Sequence, residues 1–258
     1  MSYNFVRKNQ KTEVNEPIII AGLPGIGNVG KIAVDFLIEE LKAKKIYDIY
    51  SDEFPNAVFV NEKNLVEMPT IELFTFKIKN QDFVLLAGDV QPLDERGCYA
   101  FCESLLELFA EKSIKKVITL GGIGLKVIPE KPELFVTGVD AKAVKESKID
   151  SVREDIYGEV GPIMGVAGLL IGLAARRNIP AVCYLVQTFG HPNYLGIKEA
   201  RELLNVLSKA LKLKVNLDNM DKEIKDIESE IETKTKAIMK LQQRGSVECK
   251  TGEVNYIG

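Results

Sequence analysis

The stretch Ile18-Ile19-Ile20-Ala21-Gly22-Leu23-Pro24-Gly25-Ile26-Gly27-Asn28-Val29-Gly30-Lys31 decides the fold. Four apolar residues ending at a Gly/Pro cluster read as a buried strand running into a tight turn. Beyond the turn, residues 31–41 place Ile32, Phe36 and Leu37 on one face at helical spacing. Strand, glycine turn and helix in that order open an α/β domain, in which helices cover a sheet whose strands are buried.

The same alternation continues outward. Residues 58–60 and 71–79 read as strands, and in the second Ile71, Leu73 and Thr75 alternate with Glu72, Phe74 and Phe76. The apolar run 83–86 follows the turn-like Lys79-Asn80-Gln81-Asp82, so 74–78 and 83–86 are expected to form a hairpin. Residues 96–111 carry Tyr99, Phe101, Cys102, Leu105, Leu106 and Phe109 at helical spacing. A strand over 116–120 is expected to stop at Gly121-Gly122. A strand at 135–138, a glycine-containing helix at 163–177, a buried strand at 179–186 and a helix at 197–211 complete the pattern. Together they predict a mostly parallel sheet flanked by helices, with one antiparallel hairpin included.

The composition changes after the last of these helices. Leu217, Met220, Ile224, Ile227, Ile231, Ile238 and Leu241 stand alternately three and four apart among charged residues, with Lys234 occupying one seam position. An apolar seam at period 3.5 is the coiled-coil condition, so these residues are read as an oligomerisation stripe; the competing reading is an amphipathic helix lying back on its own domain. The expected organisation is an α/β domain over 1–213, a coiled-coil helix over 214–244 and a flexible C-terminal tail over 245–258.

The 258 residues suffice for one large core plus an appendage, and a net charge of −3 gives no general pull toward nucleic acid or anionic membrane. Residues 1–16 contain no apolar leader, and the longest hydrophobic stretch, 162–175, is broken by Gly165, Gly168 and Gly172, so no membrane anchor is expected. Cys98, Cys102, Cys183 and Cys249 form no CxxC pair and only one histidine is present, which points to a reduced, cytoplasmic setting without a metal centre.

Gly25, Gly27 and Gly30 spell G-x-G-x-x-G between a strand and a helix. There, bare backbone N–H groups can meet a phosphate at a positive helix N-terminus. Gly121 is expected at the same sheet edge, and Asp48 and Asp52 stand where a ribose-binding acid is sought. The stretch also fits GxxxxGK, but Ile32 takes the place of the magnesium-binding Ser or Thr, which argues against an ATPase loop. The alternative is that these glycines only let backbone pass close to a neighbour. His191, in a loop after a strand, lacks an orienting partner in the nearby sequence, and no GxSxG elbow is present. No cofactor and no enzymatic activity are expected; a nucleotide- or nucleoside-binding enzyme using the glycine turn is the alternative.

Residues 20–30, together with Gly161-Pro162-Ile163, Gly168-Leu169-Leu170 and Ile179-Pro180-Ala181, resemble the proteasome assembly chaperone family in its archaeal branch, which is sometimes labelled with the ATP-grasp superfamily. The resemblance implies a nucleoside-phosphorylase-like α/β fold, a homo-oligomer with a tetramer favoured, and proteasome α subunits or assembly intermediates as partners. It also implies docking through a C-terminal hydrophobic-Tyr-any tripeptide. Here Tyr256 stands third from the end rather than second, so the candidate partner-binding residues are the shifted set Tyr256, Ile257 and Gly258 with its carboxylate.

Overall fold

The computed structural model describes residues 3–9, 12–61, 63–92, 94–158, 161–222 and 224. The strands are β1 (Asn4–Arg7), β2 (Ile18–Ala21), β3 (Lys44–Tyr50), β4 (Phe59–Val60), β5 (Val66–Glu67), β6 (Ile71–Ile78), β7 (Gln81–Gly88), β8 (Lys116–Leu125), β9 (Leu134–Gly138), β10 (Val152–Arg153) and β11 (Ala181–Phe189). The helices are α1 (Val29–Glu40), α2 (Glu95–Leu108), α3 (Ala141–Ser147), α4 (Gly165–Arg176) and α5 (Ile197–Leu211).

Among the described residues, nine strands form one sheet in the order β1-β3-β6-β7-β2-β8-β11-β9-β10, and β4 and β5 pair only with each other. The central strands β7, β2, β8 and β11 run parallel, as apolar strands joined through helices must. Toward both edges the sheet turns antiparallel, through β1, β3 and β6 on one side and β9 on the other. Four of the eight pairings are therefore antiparallel, and the sheet is mixed rather than mostly parallel.

All four residues of β2 are buried because both faces of the sheet are covered there. Ile19 and Ala21 face a core shared with Phe101, Cys102 and Leu105 of α2 and Val166, Leu170 and Leu173 of α4. On the opposite face α1 packs against β7, β8, β2 and α5. Each large aliphatic side chain so buried contributes about 1.5–3 kcal/mol. Helix α2 starts at Asp94, whose Oδ1 accepts the Gly97 N–H at 2.6 Å, meeting one donor that the helix itself leaves unpaired.

Four strands, β1, β3, β5 and β10, and the helix α3 escape the reading of the sequence, and β7 and β8 are longer than expected. β1 lies in the polar N-terminal stretch, where it pairs antiparallel with β3. β3 itself, Lys-Lys-Ile-Tyr-Asp-Ile-Tyr, buries Ile46, Asp48 and Ile49 on a strand otherwise rich in charge. β8 does not stop at Gly121-Gly122 but runs on to Leu125, because β11 pairs with it residue for residue from Val117 to Leu125 and supplies the ladder that local sequence does not demand.

The chain divides after Leu217. In the second part residues 218–222 and 224 are helical. Of the expected coiled-coil seam, Ile227, Ile231, Ile238 and Leu241 lie outside the described residues, as do Tyr256, Ile257 and Gly258.

Candidate functional site

The carboxyl ends of β2 and β8 meet at a topological switch. The connection from β2 leads through α1 to the β3 side of the sheet, whereas the chain from β8 leads to the β9 and β11 side. Connections that diverge from neighbouring parallel strands leave a crevice between them, which is where α/β sheets place ligands. A cleft of about 480 Å³ opens there. Its walls are the glycine turn after β2, the extension of β8 from Leu120 to Gly124, and the segment 161–167 that leads into α4.

The turn is built by two successive left-handed residues, Gly27 (φ 62°) and Asn28 (φ 52°). Glycine takes that conformation without strain, and asparagine is the residue that otherwise tolerates it best. Asn28 closes the turn locally: its N–H donates to the Gly25 carbonyl at 2.9 Å, and its Oδ1 accepts the Gly25 N–H at 3.3 Å.

Of the four glycines named as a possible cofactor cradle, Gly25, Gly30 and Gly121 line the crevice, whereas Gly27 is buried against Thr188. The tightest approaches are to backbone. A Cβ on Gly22 would lie 2.1 Å from the Gly30 carbonyl oxygen, one on Gly30 would lie 2.6 Å from that of Leu120, and one on Gly122 would lie 2.4 Å from that of Ile26. These glycines therefore let the start of α1 and the turn before it settle directly on β2 and β8. Gly25 differs, since a Cβ there meets nothing nearer than 4.0 Å.

Gln91, a residue that local sequence does not single out, ties the walls together. Its Nε2 donates to the Pro24 carbonyl and its Oε1 accepts the Val166 N–H at 3.1 Å, joining the glycine turn to the first turn of α4. Gly165, at φ 71°, leaves room for this amide, because a Cβ there would come within 2.7 Å of Gln91 Oε1. Gln91→Ala is expected to lower stability by about 1–2 kcal/mol through two lost hydrogen bonds, as read from the urea midpoint.

The remaining candidates lie apart from the crevice. Lys31 turns away to Asp35 at 3.0 Å and Asp89 at 3.3 Å. Burial alone would lower the Lys31 ammonium, but those two carboxylates outweigh it and hold it above its ordinary range; burial likewise pushes the Asp35 carboxyl up. Asp48 is no ribose ligand: it sits on β3, with β6 and β7 between it and β2, and it pairs with Lys8 at 2.6 Å and Lys45 at 3.4 Å. Asp52 follows β3 in the same outer region. His191 is exposed, stacked on Phe189 at 5.6 Å, and its Nδ1 accepts the Asn193 N–H at 3.2 Å. Cys98 and Cys102 are buried on the core face of α2.

Among the described residues the crevice gathers glycine, aliphatic side chains, two prolines, one methionine and one amide, and none of these lining side chains is ionisable. No group of His, Cys, Asp and Glu among the described residues is arranged to hold a metal, and none of their helices is long and apolar enough to cross a membrane.

Comparison with known proteins places this architecture. The structure of Pyrococcus furiosus PbaB, described as an archaeal proteasome activator, superposes with a TM-score of 0.80 at 28% identity, covering 90% of this chain and 98% of that one. P. furiosus PbaA, described as an archaeal homolog of proteasome-assembly chaperone, superposes with a TM-score of 0.72 at 25% identity, over 93% of this chain and 100% of that one. The uncharacterized protein MJ1210 of Methanocaldococcus jannaschii is 28% identical over 216 residues, 83% of this chain and 81% of its own length. The sequence profile of the PAC2 family matches residues 19–234, a span that takes in the glycine turn, the crevice and every segment on which the resemblance to proteasome assembly chaperones rests; the chain belongs to the PAC2 family.

Proposed function

We propose that this chain is a chaperone-like protein of proteasome assembly: a cytoplasmic homo-oligomer, with a tetramer favoured, that holds proteasome α subunits or their assembly intermediates through its C-terminal region. The observation that carries the reading is the crevice itself. Where an α/β enzyme gathers acids, bases and cations, this chain brings backbone against backbone at Gly22, Gly30 and Gly122, and its described residues line the remaining space with apolar groups and the Gln91 amide. The likeness to P. furiosus PbaB and PbaA supports the class of partner.

In this reading the α/β body is a platform and binding is multivalent. The seam that begins at Leu217, Met220 and Ile224 and continues through Leu241 assembles copies, and each copy presents Tyr256, Ile257 and the Gly258 carboxylate. Several weak tails on one oligomer raise their effective concentration and hold subunits in register without covalent chemistry.

Native mass spectrometry of the full chain, alone and mixed with archaeal proteasome α subunits, tests this. A defined oligomer that takes up α subunits, and loses them altogether when residues 245–258 are deleted, is the expected result. A chain that ignores α subunits with its tail intact overturns the reading and moves attention to nucleotide or nucleoside binding in the crevice.

A further inference from the structure

β3 and β6 are antiparallel neighbours whose register carries Ile49 opposite Ile71, so a two-residue turn after Tyr50 would suffice to join them. Residues 51–70 are inserted instead. Within them β4 and β5 form a separate hairpin, with Phe59 opposite Glu67 and Val60 opposite Val66.

The hairpin is built rather than slack. The Asn61 N–H donates to the Leu65 carbonyl at 2.9 Å, and the Asn61 Oδ1 accepts the N–H groups of Lys63 and Leu65, both at 3.0 Å. Asn61 Nδ2 reaches Glu67 Oε1 at 2.6 Å, and Asn64 takes the left-handed conformation at φ 61° that the turn needs. This ordered ribbon turns its apolar side chains outward. Val58, Phe59, Val60, Leu65, Val66 and Met68 are all exposed, from 46% at Phe59 to 70% at Val66. A lone two-stranded hairpin is marginally stable in water, and contiguous apolar surface of this kind marks an interaction site.

We propose that this hairpin is a self-association surface that meets the same hairpin of a second copy about a two-fold axis. The size fits: six exposed large apolar residues, five of them by more than half, present on the order of 600 Å², against about 800 Å² per partner in a standard stable interface. The chemistry fits as well. Permanent interfaces between identical chains are the more apolar class, whereas interfaces with exchanging partners are no more apolar than the rest of the surface. A two-fold contact needs only a patch complementary to itself, which the apolar side chains supply; of the charged residues in the hairpin sequence, Glu62, Lys63 and Glu67, the Glu67 carboxylate is already tied to Asn61.

The proposal rests on the homo-oligomeric reading above and adds a second contact to the expected coiled-coil seam. The test is the native mass of the full-length Val60→Asp/Val66→Asp chain at micromolar concentration, beside the wild type and the control Val127→Asp/Ile128→Asp, which changes two exposed residues elsewhere. The expected result is a mass at most half that of the wild type, with an unchanged far-UV circular dichroism spectrum at ordinary temperature and an unchanged control. The milder Val60→Ser/Val66→Ser chain is expected to shift the same equilibrium in the same direction and guards against a folding defect. A monomeric wild type, a variant of unchanged mass, or a control that dissociates equally would overturn the proposal. Uptake of α subunits is read separately in the same spectra, so a chain that ignores them while its mass still depends on the hairpin would sink the proteasome reading alone.

Discussion

Gly22→Ala is expected to lower stability by about 3 kcal/mol or more, as read from urea unfolding. The added Cβ would lie 2.1 Å from the Gly30 carbonyl oxygen, 2.6 Å from its carbon and 2.6 Å from Val34 Cγ2. The valine can rotate, but the carbonyl belongs to the first turn of α1, and Gly30 is pressed in turn onto the Leu120 carbonyl. Relief would mean lifting the start of the helix from the sheet, which exposes Ala33, Val34 and Leu37. The paired control is Gly25→Ala, where the backbone is extended (φ −165°) and the new Cβ finds open space. It is expected to keep the urea midpoint within about 0.5 kcal/mol of the wild type. The pair separates a packing seam from a ligand cradle. A folded, stable Gly22→Ala chain would refute the close packing, whereas a saturable nucleotide signal lost in the stable Gly25→Ala chain would favour the cradle.

Phe101→Ala is the second large effect, an expected loss of about 3–5 kcal/mol on the urea midpoint. The ring is fully buried in the core beneath α2, and it meets the edge of Tyr3 at 5.1 Å between centroids. Tyr3 is fixed from two other directions, by donating its hydroxyl to the Gly97 carbonyl at 2.8 Å and by packing on Phe54 at 6.0 Å, so it cannot follow the wall inward to fill the space. An unfilled cavity adds its own cost to the lost transfer energy. A double-mutant cycle with Tyr3→Leu is expected to leave a coupling of about 0.5–1.5 kcal/mol, the contribution of an aromatic pair beyond its area. A loss under about 1 kcal/mol for Phe101→Ala would mean that the core closes over the gap.

What could be read locally is confined to segments whose signal lies in neighbouring residues. Four apolar residues followed by glycines mark β2 and its turn; the apolar face at 197–211 gives α5 with the bounds observed; and the alternation from Ile71 marks the β6–β7 hairpin. β3 was hidden because its lysines and tyrosines mask the alternation, and Asp48 on it is stabilised by Lys8 and Lys45, of which Lys8 lies some forty residues away in sequence. β1 was hidden because a polar edge strand needs only a partner, not an apolar pattern.

The amino-acid sequence by itself determined that this is an α/β protein with a glycine turn at the end of its first buried strand, because hydrophobic period and backbone freedom are properties of adjacent residues. It also carried the motifs that identify the family. Only the tertiary structure decided the order and direction of the strands, the continuation of β8 through Gly121 and Gly122, and which glycines face a carbonyl and which face open space. Gln91 became part of the crevice, and the hairpin at 59–67 became an exposed apolar ribbon, in the same way. The physical reason is common to all of these: hydrogen-bond ladders, close backbone approaches and burial are made with partners distant in the chain, and a residue type states what it can tolerate, not what it will meet.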